Sequence, residues 1–174
     1  PTARRELEFV YGYRGKDCRD NLLYTPEGDL LYFTAGVGVV YDRTRHAQRH
    51  FVGHDNDIMC MALCPTAPVV ATGQQDPPGV RDAYVLLWDH HTMRQVQLLD
   101  NAHKRGVSAM AFTPDGSRLL TIGADDAHTL NVWDWHAGKR LASQPTHKDH
   151  VFSLQCNPVT GQAVLAGRNA IKFI

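Results

Sequence analysis

The stretch Val107-Ser108-Ala109-Met110-Ala111-Phe112-Thr113-Pro114-Asp115-Gly116, continued by Leu119-Leu120-Thr121-Ile122-Gly123 and Leu130-Asn131-Val132-Trp133-Asp134, decides the architecture. It reads as three short apolar strands. The first ends in proline, a tight Asp-Gly turn follows, and the third ends in an aromatic and an acid. The same order recurs on both sides. Ile58 to Pro65 and Val151 to Pro158 are also apolar runs ending in proline, so the three prolines stand 49 and 44 residues apart. Val69-Val70-Ala71-Thr72-Gly73 and Ala163-Val164-Leu165-Ala166-Gly167 repeat the second strand, and Val85-Leu86-Leu87-Trp88-Asp89 repeats the third. A more polar fourth strand runs Gln95 to Leu99 and Arg140 to Ser143. Gly53-His54, Ala102-His103 and Thr146-His147 close the units, again 49 and 44 residues apart. A weaker copy comes earlier: Asn21 to Pro26, Asp29 to Gly36, Val37 to Asp42 and Ala47 to Val52, with Tyr41-Asp42 in the Trp-Asp place.

Four short strands per unit, a period near 45 and recurring Gly-His and Trp-Asp pairs are the signature of an all-β, WD40-type β-propeller. A single four-stranded sheet cannot bury both faces alone, so the units stack around an axis. Within a blade, the histidine, a second-strand Thr, a turn Asp and the Trp indole N–H can hydrogen-bond to one another. The expected tetrads are His54, Thr72, Asp82 and Trp88 in the second unit. In the third they are His103, Thr121, Asp126 and Trp133, with a turn one residue longer. The first and last units lack the full set and are expected to be held by packing. The divisions are an N-terminal segment 1–22, then blades over 21–53, 54–102, 103–146 and an incomplete 147–174. An open arc of three and a half to four blades leaves strand edges unpaired. The start at Pro1 and the apolar run Ala170-Ile171-Lys172-Phe173-Ile174 read as cut ends, so a fragment of a larger propeller is expected.

Composition excludes several classes. The 174 residues carry 18 Lys+Arg against 18 Asp+Glu, without the basic footprint of a nucleic-acid binder. The longest apolar runs, such as Val37 to Tyr41, fall far short of the roughly 20 residues of a membrane helix. No secretory signal opens the chain, and a folded, soluble, intracellular protein is expected. His50, His54, Cys60 and Cys64 include zinc-ligand types. Cys60 and Cys64, however, lie on a strand, where positions four apart are about 13 Å apart, so core cysteines are expected and no metal. None of the four serines sits in a Gly-x-Ser-x-Gly elbow. Gly36-Val37-Gly38 lacks the third glycine and helix of a dinucleotide site. There is no P-loop, and Asp55-x-Asp57 lacks the other ligands of a calcium loop. No catalytic residue and no cofactor are expected. His90-His91, in the turn after Trp88-Asp89, reads as solvated.

Ahead of the first blade stands Leu7-Glu8-Phe9-Val10-Tyr11-Gly12-Tyr13-Arg14-Gly15-Lys16-Asp17-Cys18-Arg19-Asp20-Asn21-Leu22. It resembles the hydrophobic motif that names the HELP region of echinoderm microtubule-associated protein-like (EMAP-like) proteins. Tyr32-Phe33, Gln48-Arg49-His50, Gly53-His54-Asp55-Asn56-Asp57, Ala71-Thr72-Gly73-Gln74 and Val132-Trp133-Asp134-Trp135 extend the resemblance over essentially the whole chain. Ala35-Gly36-Val37-Gly38-Val39-Val40-Tyr41 is most similar to the long members with several modules in tandem. Phe9 stands where the family usually has Trp, and the loop Gln75 to Arg81 departs from the usual sequence.

The resemblance implies a HELP segment built into the propeller, no catalytic activity, and binding to tubulin or microtubules in the cytoplasm, including those of cilia or axonemes. The general alternative is a WD40 scaffold that binds another protein or peptide on its rim or top face. Microtubules are acidic, so two basic groups are candidates for contact: Arg14, Lys16 and Arg19 in the motif, with Arg4 and Arg5 before them, and Arg43, Arg45 and Arg49. The competing assignment for Arg14 and Arg19 is structural, bonding backbone carbonyls.

Overall fold

The computed structural model describes residues 7–76 and 82–174, and these contain no helix. Among them none is therefore long and apolar enough to cross a membrane. The first sheet holds β1 (Leu22–Tyr24), β2 (Leu30–Thr34), β3 (Val37–Asp42) and β4 (Ala47–Phe51). The second holds β5 (Ile58–Leu63), β6 (Val69–Gln74), β7 (Ala83–Asp89) and β8 (Arg94–His103). The third holds β9 (Val107–Phe112), β10 (Leu119–Gly123), β11 (Leu130–Asp134) and β12 (Lys139–Gln144). The last has β13 (Val151–Cys156), β14 (Ala163–Gly167) and β15 (Ala170–Phe173). Each sheet is an antiparallel meander in chain order, so the chain is part of a β-propeller with three four-stranded blades and three strands of another.

The repeat extends to the irregularities. Where β5, β9 and β13 pair with their second strands, the register slips after the first residue, leaving Met59, Ser108 and Phe152 at the slip. A second slip puts Val96 and Leu141 out of register beside Trp88 and Trp133. Such bulges re-aim side chains and increase local twist. The acid of each aromatic-Asp pair caps the turn that follows. Asp42 Oδ1 accepts the Thr44 and Arg45 amides at 2.8 and 3.0 Å, and Asp89 Oδ1 accepts those of His91 and Thr92 at 2.8 and 2.9 Å. Asp134 accepts the Ala137 amide at 3.2 Å. Each turn then leaves through a left-handed residue four places after the acid: His46, Met93 and Gly138 (φ 50°, 57° and 65°). Only the third is glycine, which adopts that conformation without Cβ strain.

The core lies between blades. Leu31, Phe33, Val40 and Phe51 of the first sheet meet Ile58, Met61, Val70 and Trp88 of the second. Cys60, Ala71, Val85 and Leu87 meet Val107, Met110, Leu119 and Trp133. Ala109, Ile122 and Leu130 meet Val151, Leu154 and Leu165. Strands covered on both faces, β6 and β10, are therefore buried at every residue, whereas outermost β12 is exposed throughout. The innermost strand β9 packs on both β5 and β13. The Cys60 thiol donates to Val107 O at 3.2 Å across a blade boundary, and the buried Cys64 lies 3.6 Å from the Thr66 hydroxyl. These thiols serve packing.

Residues 7–21 form no strand and lie against the first blade. Gln48 of β4 clamps Val10, accepting its N–H at 2.8 Å and donating to its carbonyl at 3.0 Å. The Phe9 ring meets His46 and Tyr41 at 5.1 and 6.1 Å between centroids, and Tyr13 meets Tyr32 edge-on at 6.2 Å. Cys18 closes over the core shared by the first two blades.

Candidate functional site

Two kinds of polar arrangement stand out, one inside the blades and one on their surface. In the second blade, strand alternation turns Thr72 and Gln74 of β6 to the same side, and His54 from the preceding connector reaches both. Trp88 Nε1 donates to Thr72 Oγ1 at 3.1 Å, and Thr72 Oγ1 lies 2.8 Å from His54 Nε2. The other ring nitrogen, Nδ1, lies 2.7 Å from Gln74 Oε1, an atom that can only accept. A neutral imidazole with its proton on Nδ1 satisfies the three short contacts: Trp88 donates to the Thr72 hydroxyl, that hydroxyl donates to Nε2 in preference to the longer 3.4 Å contact with Leu86 O, and Nδ1–H donates to Gln74. Gln74 Nε2 then donates to Asp55 and Asp76, at 3.0 Å each. Burial lowers the His54 pKa, which favours this neutral form. The Trp88 ring stacks on Phe51 of the neighbouring blade at 4.8 Å and 5°.

Asp82 is not the acid expected at His54. The second nitrogen of His54 is taken by Gln74, and Asp82, just before β7, borders the cleft that opens onto His103. The clue was present in the alternation, because Thr72-x-Gln74 puts two polar side chains on one face of an otherwise apolar strand.

The third blade repeats half of this arrangement. Trp133 Nε1 donates to Thr121 Oγ1 at 3.0 Å, and Thr121 Oγ1 lies 2.8 Å from His103 Nε2. Burial pushes the His103 pKa down to about 4, partly opposed by the charge of Asp125. Asp126 is a second correction. Its carboxylate is 86% exposed and forms a two-pronged pair with Arg105. Its neighbour Asp125 turns inward. A Cβ on Gly123 would strike both the Asp125 carboxylate and the His103 ring, and Asp125 also accepts the Thr129 hydroxyl at 2.9 Å. The turn also holds His128 left-handed at φ 42°, and the acid beside His103 is Asp125, one residue before the expected one.

The candidate contact residues separate into different environments. Arg14 is tied down: its guanidinium donates to both Asp17 oxygens at 2.8 Å and to Asp57 at 2.8 Å, and its side chain is only 15% exposed. The hydrogen bonds from Arg14 hold the Asp17 carboxyl at about 2, well below its ordinary value. Arg14 O also accepts from Asn21 Nδ2. Arg14 therefore fastens the N-terminal segment to the connector entering β5, in keeping with the structural alternative for this residue. Arg19 is exposed, bonds the Cys18 carbonyl at 3.0 Å, and borders a cleft of about 440 Å³ along the innermost strands. Lys16 and Arg43 are exposed. Arg45 and Arg49 reach Asp42 and Asp29 at 3.5 and 3.0 Å. Arg43, Arg45 and Arg49 share a cleft of about 460 Å³ at the outer corner of the first blade, facing Glu27 and His91. Arg4, Arg5 and residues 77–81 of the divergent loop lie outside the described residues.

One histidine is misplaced by sequence reasoning. His90 is 1% exposed, not solvated; its amide bonds Pro68 O at 3.0 Å, and its ring lies against that of His91. Desolvation lowers its pKa.

Residues 47–174 match the family model described as the echinoderm microtubule-associated protein first beta-propeller, and residues 1–39 match the HELP motif. The chain is 37% identical over 186 residues to echinoderm microtubule-associated protein-like 1 of Rattus norvegicus, covering 99% of the chain and 22% of that protein. It is 34% identical over 179 residues to the 77 kDa echinoderm microtubule-associated protein of Strongylocentrotus purpuratus, covering 99% and 26% respectively. Against echinoderm microtubule-associated protein-like 4 of Xenopus laevis, identity is 33% over 181 residues, covering 99% and 20%. The chain thus spans about a fifth to a quarter of the length of the curated relatives it matches.

Proposed function

Since the chain belongs to the echinoderm microtubule-associated protein family, we propose that it is a non-enzymatic module of a cytoskeletal protein that binds tubulin or microtubules in the cytoplasm. The observation that carries this reading is similarity over 99% of the chain to proteins named for microtubule association. Its divisions are a HELP segment, 1–22, and blades over 21–53, 54–102, 103–146 and 147–174. The polar networks described above are spent on holding blades together, which leaves surface recognition as the module's work. Lys16, Arg19 and Arg43 carry exposed positive charge suited to an acidic lattice, and Arg45 and Arg49 supplement it by exchanging their intramolecular carboxylates for lattice ones. Exposed ion pairs contribute only about 0–1 kcal/mol each, so apolar contact must supply the rest of the affinity.

Co-sedimentation with stabilised microtubules at low and physiological salt tests the reading. Saturable pelleting that weakens with salt is expected, with a further loss of about tenfold in the Lys16→Glu/Arg43→Glu variant. No pelleting by the folded chain refutes sufficiency of these blades and favours a WD40 adaptor for another protein. Pelleting that is indifferent to both salt and charge reversal removes the basic residues from the interface.

A further inference from the structure

At the outer corner between the first two blades, His90 belongs to no repeat network and to no proposed contact with tubulin. It is 99% buried (1% exposed), yet neither ring nitrogen has a hydrogen-bond partner among the described residues. Such unsatisfied polar groups cost free energy and are rare in folded proteins. The missing partner has an evident place. The His90 and His91 rings lie 4.3 Å apart between centroids, and His91 Nε2 lies 3.4 Å from Glu27 Oε1. Glu27 comes from the other blade, in the β1–β2 turn that Gly28 N–H closes onto Thr25 O. One nitrogen from each imidazole and one carboxylate oxygen lie within 4.8 Å of one another.

We propose that Glu27, His90 and His91 form a zinc-binding site that clasps the β1–β2 turn of one blade to the β7–β8 turn of the next. Two imidazoles and one carboxylate are a donor set zinc uses with its fourth position left to water, whereas calcium and magnesium favour oxygen ligands. A tetrahedral ion with bonds near 2.1 Å holds its ligand atoms roughly 3.4 Å apart. The Glu27–His91 pair already has that separation. The three ligand atoms lie within 4.8 Å of one another, and metal binding would call for rotation of the half-exposed Glu27 and His91 side chains (49% and 46%) rather than of the buried His90 ring. Arg43, Arg45 and Arg49 line the same cleft and oppose the ion's charge, while Asp42 and Asp29 hold Arg45 and Arg49 at 3.5 and 3.0 Å. The site lies on the blade edge and would add a metal link to the His91–Glu27 contact that already joins the two turns.

The test is calorimetric titration of the full chain with zinc ions alone near neutral pH, paired with thermal melts with and without zinc. Wild type should take up one ion per chain at this site and melt higher in its presence. Glu27→Gln and His91→Ala replace half-exposed side chains and should fold as wild type, while each weakens zinc binding by about tenfold or more. The double variant should lose both the uptake and the thermal shift. His90→Leu replaces the imidazole with an apolar side chain of similar volume and removes the buried ligand, and it should behave like the double variant. Absence of stoichiometric uptake by wild type overturns the site. So does uptake of undiminished affinity by the double variant, which would assign the metal to other histidines or cysteines.

Discussion

Acidifying the protein from pH 7 to pH 4 should remove about 3 kcal/mol of stability through His103 alone. The imidazole is 4% exposed, and its Nε2 lies 2.8 Å from a Thr121 hydroxyl that already accepts the Trp133 indole N–H at 3.0 Å. In the neutral form, the hydroxyl proton satisfies Nε2. Protonating Nε2 forces the hydroxyl to turn away and buries a cation, which desolvation disfavours most. The folded pKa is about 4 against an ordinary 6.5, and a pKa unit is worth about 1.36 kcal/mol. The sign follows from proton uptake. Above pH 6.5 neither state is charged at this site, and the stability contribution is complete. Between 6.5 and about 4 the unfolded chain binds a proton that the folded chain does not, so stability falls by about 1.4 kcal/mol per unit. Below about 4 both bind it, and the slope from this group ends. The assay is urea unfolding at half-unit pH steps, comparing wild type with His103→Gln, whose amide oxygen can accept the Thr121 proton but does not titrate. Other buried histidines acidify both proteins alike, so the difference between the two curves isolates His103. Parallel curves between pH 6.5 and 4 would refute this account of the network.

Two further substitutions probe the joints. Gly38→Ala places a Cβ 2.7 Å from Cζ2 of Trp88, whose ring is fully buried and stacked on Phe51, so overpacking should cost about 1–3 kcal/mol in denaturant unfolding; a neutral result would mean that the blade boundary yields freely. Arg14→Ala removes the contacts to Asp17 and Asp57 that pin the N-terminal segment, and it should lower stability by about 1–2 kcal/mol and speed proteolysis within residues 7–20; Arg14→Lys should restore only part, lacking the planar fork.

Much of this protein was legible one residue at a time. Strand formation, the alternation that aims Thr72 and Thr121 inward, and the aromatic-acid pairs that close the third strands are local properties, fixed by neighbours two or four positions away. The blade number follows from counting those local units. What escaped the sequence lies where the chain leaves regular structure or where two blades meet. Asp125 and Asp126 are adjacent acids in one turn, and the folded contacts sort them: Asp125 accepts from Ala127 N and the Thr129 hydroxyl beside His103, while Arg105 takes Asp126. For Arg14 the sequence leaves both a contact and a structural role open, and only folding brings Asp57, 43 residues away, against it. His90 reads as a solvated turn residue in sequence, yet the fold buries it to 1% exposure at the corner it shares with Glu27 of the first blade. Strand periodicity is set along the chain, whereas burial and partnership across a blade boundary depend on distances between segments that sequence spacing does not encode.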